Sequence, residues 1–141
     1  MADEIEYRVV GDDMQLVEVA LDPGEAVRAE AGAMLYMTDG VEIQTSTGGG
    51  VFRGVKRVFT GETFFITSFL YTGHGKGIVA FAAPYPGKVI ALNMAEIGEE
   101  VLCQKDAFLC AALGTEVSVA FNKKLGAGLG LFLGYQFGEY L

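Results

Sequence analysis

The chain has 141 residues, a formal net charge of -8, 51% hydrophobic residues and 20 glycines. A chain of this length is typical of one domain with one core that needs no metal or disulfide staple, and its apolar content excludes disorder. An acidic protein lacks the positive field that attracts phosphate backbones, so nucleic acid is not an expected partner.

Two kinds of apolar pattern predict β-strands along the chain. Apolar and polar residues alternate from Ile5 to Val9, from Val41 to Thr45 and from Val117 to Phe121, which is typical of strands with one buried face. Three further runs are apolar on both faces and predict strands buried on both sides, namely Thr63–Tyr71, Gly77–Ala83 and Lys88–Leu92.

Turn residues separate these strands at intervals of about 8–12 residues, a spacing that indicates an all-β protein. The turn clusters are Gly11–Asp13, Asp22–Gly24, Thr72–Lys76 and Pro84–Gly87. One short helical turn is expected within residues 94–101. No linker divides the chain, so residues 1–141 are predicted to form a single all-β domain, an antiparallel-rich sandwich or roll.

The sequence offers little that could perform catalysis. His74 is the one histidine, so any general-base or triad scheme based on histidine must pass through it, and it lies in a glycine-rich loop. The carboxylate pairs Asp12–Asp13 and Glu99–Glu100 are the alternative, but adjacent residues on a strand point to opposite faces, so neither pair converges on a substrate. Cys103 and Cys110 have no companion ligands for a zinc site, and both lie among apolar residues. We therefore predict no catalytic, cofactor or metal residues. The acidic start of the chain, which lacks the apolar core of a signal peptide, predicts a cytoplasmic protein with free, buried thiols.

Two weak ligand sites are suggested by basic residues near glycines. One is the loop Gly73–Gly77, which holds His74 and Lys76, and the other follows the run Gly48–Gly50. The second contains Arg53, Lys56 and Arg57 and resembles an anion cradle, although it lacks the spacing of a phosphate-binding loop. Solvated turns are the simpler interpretation of both.

The segment Leu125–Gly138 carries no charge and places a glycine at every fourth position. Small residues at this spacing let membrane helices pack closely, but a membrane span needs about 20 residues. The alternative is a terminal strand pair in which glycines allow a close approach of backbones. Either way the segment is a candidate interface, with Gly126, Gly130, Leu133, Gly134 and Phe137 as its contact residues.

Four motifs in order resemble the altered-inheritance-of-mitochondria number 24 family over residues 5–128. They are Ala31–Met37 (AGAMLYM), Gly61–Thr67 (GETFFIT), Ala83–Val89 (APYPGKV) and Leu102–Leu109 (LCQKDAFL). The resemblance implies a fold similar to that of the trp RNA-binding attenuation protein, in an oligomer. Mitochondrial members of the family are linked to inner-membrane organisation. The chain is short for the family, either by nature or by truncation after the glycine-rich segment.

Within these motifs, some residue types match structural roles. Gly32 and Gly87 suit turns, because glycine adopts backbone conformations that other residues avoid. Phe64, Phe65, Phe108 and Leu109 suit the core, because large apolar side chains gain most from burial.

Three functions follow as hypotheses. The first is a non-catalytic, homo-oligomeric β scaffold or interaction module, with a protein or membrane partner, because apolar strands at sheet edges need cover. The second is a small-ligand-binding β-barrel or enzyme that uses His74, Lys76 or Arg53. The third is a peripheral membrane protein that binds through residues 125–141.

Overall fold

The structure is a computed structural model that describes residues 5–45, 66–98, 100–104, 107–121, 129–134 and 139–140. A 3-10 turn covers Ala31–Ala33, and the helix α1 covers Met94–Ile97. The strands are β1 (Glu6–Val10), β2 (Leu16–Leu21), β3 (Ala26–Glu30), β4 (Met34–Met37), β5 (Val41–Thr45), β6 (Ile66–Tyr71), β7 (Gly77–Ala82), β8 (Leu92–Asn93), β9 (Glu100–Gln104), β10 (Cys110–Ala112), β11 (Glu116–Phe121), β12 (Leu129–Gly134) and β13 (Glu139–Tyr140).

These strands form three sheets, in which every strand pairing is antiparallel. The orders are β1-β2-β7-β4 in a four-stranded sheet, β5-β6-β3-β10-β13-β8 in a six-stranded sheet and β11-β12-β9 in a three-stranded sheet. The predicted all-β, antiparallel-rich class is therefore confirmed.

A first core contains residues of both the four-stranded and the six-stranded sheet. Every second residue of β2 points into it, since Val17, Val19 and Leu21 are fully buried. Phe69 of β6 and Phe81 of β7 meet there edge to face, with ring centroids 5.3 Å apart and planes at 76°. This geometry suits the ring quadrupoles and adds to the burial of both rings.

A second core contains Ile66 of β6 together with buried residues from the later part of the chain. Met94 of α1, Phe108 and Val117 of β11 are buried there. Ala111 of β10 belongs to this second core, whereas its neighbours in sequence, Cys110 and Ala112, belong to the first. Since side chains alternate along a strand, β10 contributes to a core on each of its faces.

Most predicted elements are confirmed where the structure describes them. The strands predicted around residues 5–9, 41–45, 77–83 and 117–121 are β1, β5, β7 and β11. The expected helical turn is α1, which Asn93 caps by accepting a hydrogen bond from the Ala95 N–H at 3.0 Å. Phe108 and Leu109 are buried as expected, whereas Phe64 and Phe65 lie outside the described residues.

The strand predicted over Lys88–Leu92 is wrong. Residues 88–91 form no strand and Ile90 is 68% exposed, so strand pairing begins only with β8. The loop between β1 and β2 binds this segment instead: Gln15 donates its N–H to the Gly87 carbonyl at 3.0 Å, and its side-chain Oε1 accepts from the Val89 N–H at 2.8 Å. A side chain thus replaces the partner strand that the apolar run suggested.

A tyrosine closes the hairpin between β6 and β7. Tyr71 is 3% exposed and its hydroxyl donates to the His74 carbonyl at 2.6 Å. Its ring lies directly against the backbone of Gly73 and Gly77, where an added Cβ would come within 2.7 Å and 2.5 Å of ring atoms. Glycine is required at these two positions because the ring has no free space to move into.

This contact predicts that Gly77→Ala destabilises the protein. The new methyl group would overlap the buried, hydrogen-bonded Tyr71 ring, at a cost of about 1–3 kcal/mol in the free energy of unfolding. Denaturant titration followed by circular dichroism measures the change. Gly87→Ala is the control, because a Cβ there meets nothing within 4 Å. Equal stability of the two variants would contradict the prediction.

Candidate interaction site

Among the residues whose exposure is described, the edge strand β4 exposes three large apolar side chains, more than any other strand. β4 is the last strand of the four-stranded sheet, and its described neighbour is β7 on one side only. Leu35, Tyr36 and Met37 are 55%, 42% and 38% exposed. Apolar side chains on a strand with an unpaired edge are typical of a surface that pairs with another strand.

The register of β4 against β7 shifts between Met34 and Tyr36. Such an irregularity is typical of edge strands, where an extra residue bends the chain and redirects side chains. Met34 pairs with Phe81, while Tyr36 pairs with Ala80 on the opposite face of the sheet. Tyr36 therefore belongs to the outer face, away from the first core.

A line of polar side chains crosses this outer face. Arg8 of β1 pairs in register with Glu18 of β2, and both Glu18 and Tyr36 pair with Ala80. The Tyr36 hydroxyl donates to Glu18 Oε1, and Arg8 Nη2 donates to Glu18 Oε2 at 2.6 Å. Both oxygens of one carboxylate are thus occupied, and the phenol hydroxyl is held by one of them.

The same contacts shift two pKa values in opposite directions. The hydrogen bond from Tyr36, followed by that from Arg8, lowers the pKa of the Glu18 carboxyl. The hydrogen bond to Glu18 raises the pKa of the Tyr36 phenol, because losing the proton would remove the bond. At neutral pH the pair is therefore a carboxylate with a neutral phenol donor.

The predicted ligand contacts His74 and Lys76 lie in the β6–β7 loop. The Lys76 ammonium binds Glu6 and Asp22, each at 2.9 Å, and these carboxylates raise its pKa. His74 is exposed, and in the described part of the chain its imidazole makes no hydrogen bond or ion pair. The loop is thus tied to β1 and to the end of β2.

The other predicted residues are only partly described. Arg53, Lys56, Arg57, Gly126 and Phe137 lie outside the described residues. The remaining candidate interface residues, Gly130, Leu133 and Gly134, belong to β12, which has β11 on one side and β9 on the other. The strand alternative thus holds for residues 129–134, and the backbone of β12 is already paired within the chain.

Both cysteines are free thiols, as predicted. Cys110 is fully buried and Cys103 is half-buried, and burial raises the pKa of each thiol. Among the residues that the structure describes, no group of three His, Cys, Asp or Glu side chains is placed to hold a metal ion. Within the same residues, no helix has both the length and the apolar character to cross a membrane.

These features define an antiparallel all-β protein with a polar outer face and an apolar edge. The family model described as mitochondrial biogenesis AIM24 matches residues 7–139. The chain belongs to this family, which confirms the resemblance seen in its motifs.

Two relatives show how much of a family member the chain covers. It is 31% identical over 121 residues to an uncharacterised protein of Streptococcus pyogenes serotype M6, a match covering 81% of this chain and 47% of that protein. It also superposes on the crystal structure of a Streptococcus pyogenes protein with a TM-score of 0.74 at 26% identity, covering 96% of this chain and 62% of the other. The chain therefore spans about half the length of the first relative.

Sequence reasoning missed the β4 edge, although the strand lies inside the motif Ala31–Met37. The four adjacent apolar residues Met34–Met37 break the period-two pattern there, so the pattern predicts no strand. The turn residues Gly32 and Gly40 do indicate this strand, because they lie on either side of a run that is long enough to form one.

The polar line predicts a stability that depends on pH through Glu18. Because the folded-state pKa of Glu18 is lowered, its contribution is complete above the unfolded-state pKa and is lost as pH falls through the folded-state pKa. Glu18→Gln should lower the midpoint of thermal unfolding on the order of 2 °C at neutral pH. In acid the variant and the native chain should converge.

Differential scanning fluorimetry across the acid and neutral range measures this. Glu96→Gln, which removes an exposed carboxylate of α1 outside the line, is the control and should show no such convergence. A Glu18→Gln deficit that persists unchanged in acid would contradict the assignment.

Proposed function

We propose that the chain is a non-catalytic β module that associates with further copies of itself and acts as a scaffold. The observation that carries the proposal is the edge strand β4, where Leu35, Tyr36 and Met37 are exposed on a strand that pairs on one side only within the described residues. Natural proteins protect such edges with charges, prolines or a partner, and β4 carries neither a charge nor a proline.

The polar groups around this edge support a structural role. Glu18 uses both carboxylate oxygens within the sheet, and Lys76 is neutralised by two carboxylates. A general base or nucleophile needs an unoccupied group facing a cavity, with a second group oriented beside it. His74, the one histidine of the sequence, is exposed on a hairpin loop.

The proposal extends to the finer family features. We place the chain in a single domain of the type seen in the trp RNA-binding attenuation protein, in a reducing, cytoplasm-like compartment that suits its free thiols. A role in supporting membrane complexes, as in mitochondrial relatives, fits an assembling scaffold. These features rest on family membership and on the composition of the chain.

The proposal predicts self-association that depends on β4. Light scattering of the purified chain over a range of concentrations should give a mass above the 15.0 kDa of one chain. Leu35→Asp should reduce that mass, because association would bury an unpaired charge.

Ile43→Asp is the matched control, since Ile43 is 49% exposed on β5, an edge strand of the six-stranded sheet. It should leave the mass unchanged. A native chain that stays monomeric at every concentration would overturn the proposal.

A further inference from the structure

The order of the strands repeats once along the chain. Strands β2 to β7 form two groups of neighbours, β2-β7-β4 and β3-β6-β5. Strands β8 to β13 form β8-β13-β10 and β9-β12-β11, which is the same arrangement with each strand number raised by six. The described strands therefore form two copies of one six-stranded arrangement, the first unit (β2 to β7) and the second unit (β8 to β13).

The sequence carries the same repeat at a spacing of 74 residues. Gly24 and Gly98 both have positive φ angles, of 90° and 117°, and each comes two residues before its strand, β3 or β9. Gly40 and Gly114 also have positive φ angles, of 90° and 95°, and precede β5 and β11 by one and two residues. Seven of the 22 residues from 24 to 45 are identical to those 74 positions later: Gly24, Glu25, Val27, Ala33, Leu35, Gly40 and Glu42.

The two units join through a defined strand pair. β3 of the first unit pairs antiparallel with β10 of the second, with Cys110 opposite Ala29, Ala111 opposite Arg28 and Ala112 opposite Val27. This junction builds the six-stranded sheet from two groups of three strands. It also buries Cys110 and Ala29 completely in the first core.

The counterparts of the junction strands both lie at the ends of sheets. β4 is the counterpart of β10, and β9 is the counterpart of β3. In the described parts of the chain, each of them ends its sheet with a neighbour on one side only. In the described residues, β4 and β9 thus both lack the partner that β10 and β3, their equivalents, have in the junction.

Residues at the junction are buried, whereas their equivalents on the edge strand β4 are exposed. Leu109 is 7% exposed beside the junction, whereas its equivalent Leu35 is 55% exposed. Cys110 is fully buried, whereas its equivalent Tyr36 is 42% exposed. On β9, Leu102 is 50% exposed. The exposed apolar surface of β4 and β9 therefore corresponds to the surface that the β3–β10 junction covers inside the molecule.

We propose that β4 of one molecule pairs antiparallel with β9 of a second copy, which reproduces the β3–β10 junction between chains. Shifting the junction by the repeat spacing of 74 sets the register: Tyr36 opposite Cys103, Met37 opposite Leu102 and Thr38 opposite Val101. The proposal deepens the proposed function, on which it rests, by naming the two edges and their alignment.

The faces of the strands agree with this pairing. Cys110 points away from the core of its own unit, into the core of the first unit. Tyr36 likewise lies on the outer face of the four-stranded sheet, away from the first core. Cys103 packs against the second core of its own unit, as Ala29 does in the first. Pairing would therefore bring Tyr36 over the second core of the neighbouring molecule.

A single substitution tests the register. Residues opposite each other in an antiparallel pair have Cα atoms about 4.5–5.5 Å apart, within the range that a disulfide spans. Tyr36→Cys should therefore form a disulfide with the native Cys103 of a second copy when the full chain is oxidised with diamide. Since every molecule carries both partners on different edges, non-reducing electrophoresis should show multimers larger than dimers.

Two further variants separate this pairing from its alternatives. Tyr36→Cys with Cys103→Ser should give no cross-link, whereas dimers in this variant would indicate symmetric β4–β4 pairing and overturn the register. Met37→Cys with native Cys103 is out of register by one residue and on the opposite face, so its yield should fall at least about tenfold.

A second pair avoids disturbing the Tyr36 hydrogen bond. Met37→Cys and Leu102→Cys, in a Cys103→Ser background, should cross-link as well as the first pair. An oligomeric native chain in which neither pair cross-links would overturn this inference while leaving the proposed function intact. A native chain that is monomeric by light scattering would overturn both.

Discussion

The pairing of β3 with β10 is the interaction on which the rest of the molecule depends, because it joins two sets of strands into one sheet. β3 has β6 on its other side, so its backbone groups are satisfied within the chain on both edges. The side chains of β10 alternate between two cores, which means that this short strand contributes to the burial on both faces of the sheet. Without this pair, β3 and β10 would each have an unpaired edge, as β4 does among the described strands.

The polar contacts hold the loops between strands in place. Lys76 ties the β6–β7 loop to β1 and to the end of β2, and Gln15 occupies backbone groups of the segment that leads to β8. Exposed ion pairs contribute little free energy, so their effect here is to select one position for loops that the cores do not hold. The glycines around Tyr71 act in the same way through close packing.

The sequence predicts the fold class well and the candidate site poorly, for a physical reason. Period-two alternation shows which face of a strand is buried, and it located β1, β5 and β11 correctly. It carries no information about which strand lies alongside, so it cannot identify an edge.

The strand predicted over Lys88–Leu92 is absent because the side chain of Gln15, which is distant in sequence, accepts the hydrogen bond from the Val89 N–H that a neighbouring strand would accept. Likewise, nothing near Lys76 in the sequence indicates that Glu6 and Asp22 fold against it. The repeat of 74 residues was available in the spacing of Gly24, Gly40, Gly98 and Gly114, and its meaning depends on the sheet order.

The hydrogen bond between Tyr36 and Glu18 has a consequence for how a partner would be recognised. A surface tyrosine normally samples several rotamers and loses that freedom when it is covered, which costs about 0.5–1.5 kcal/mol for an immobilised side chain. Here the phenol is already held by a carboxylate whose other oxygen is held by Arg8. The conformational entropy of Tyr36 has therefore been lost on folding, so a second strand would meet a surface that is organised in advance.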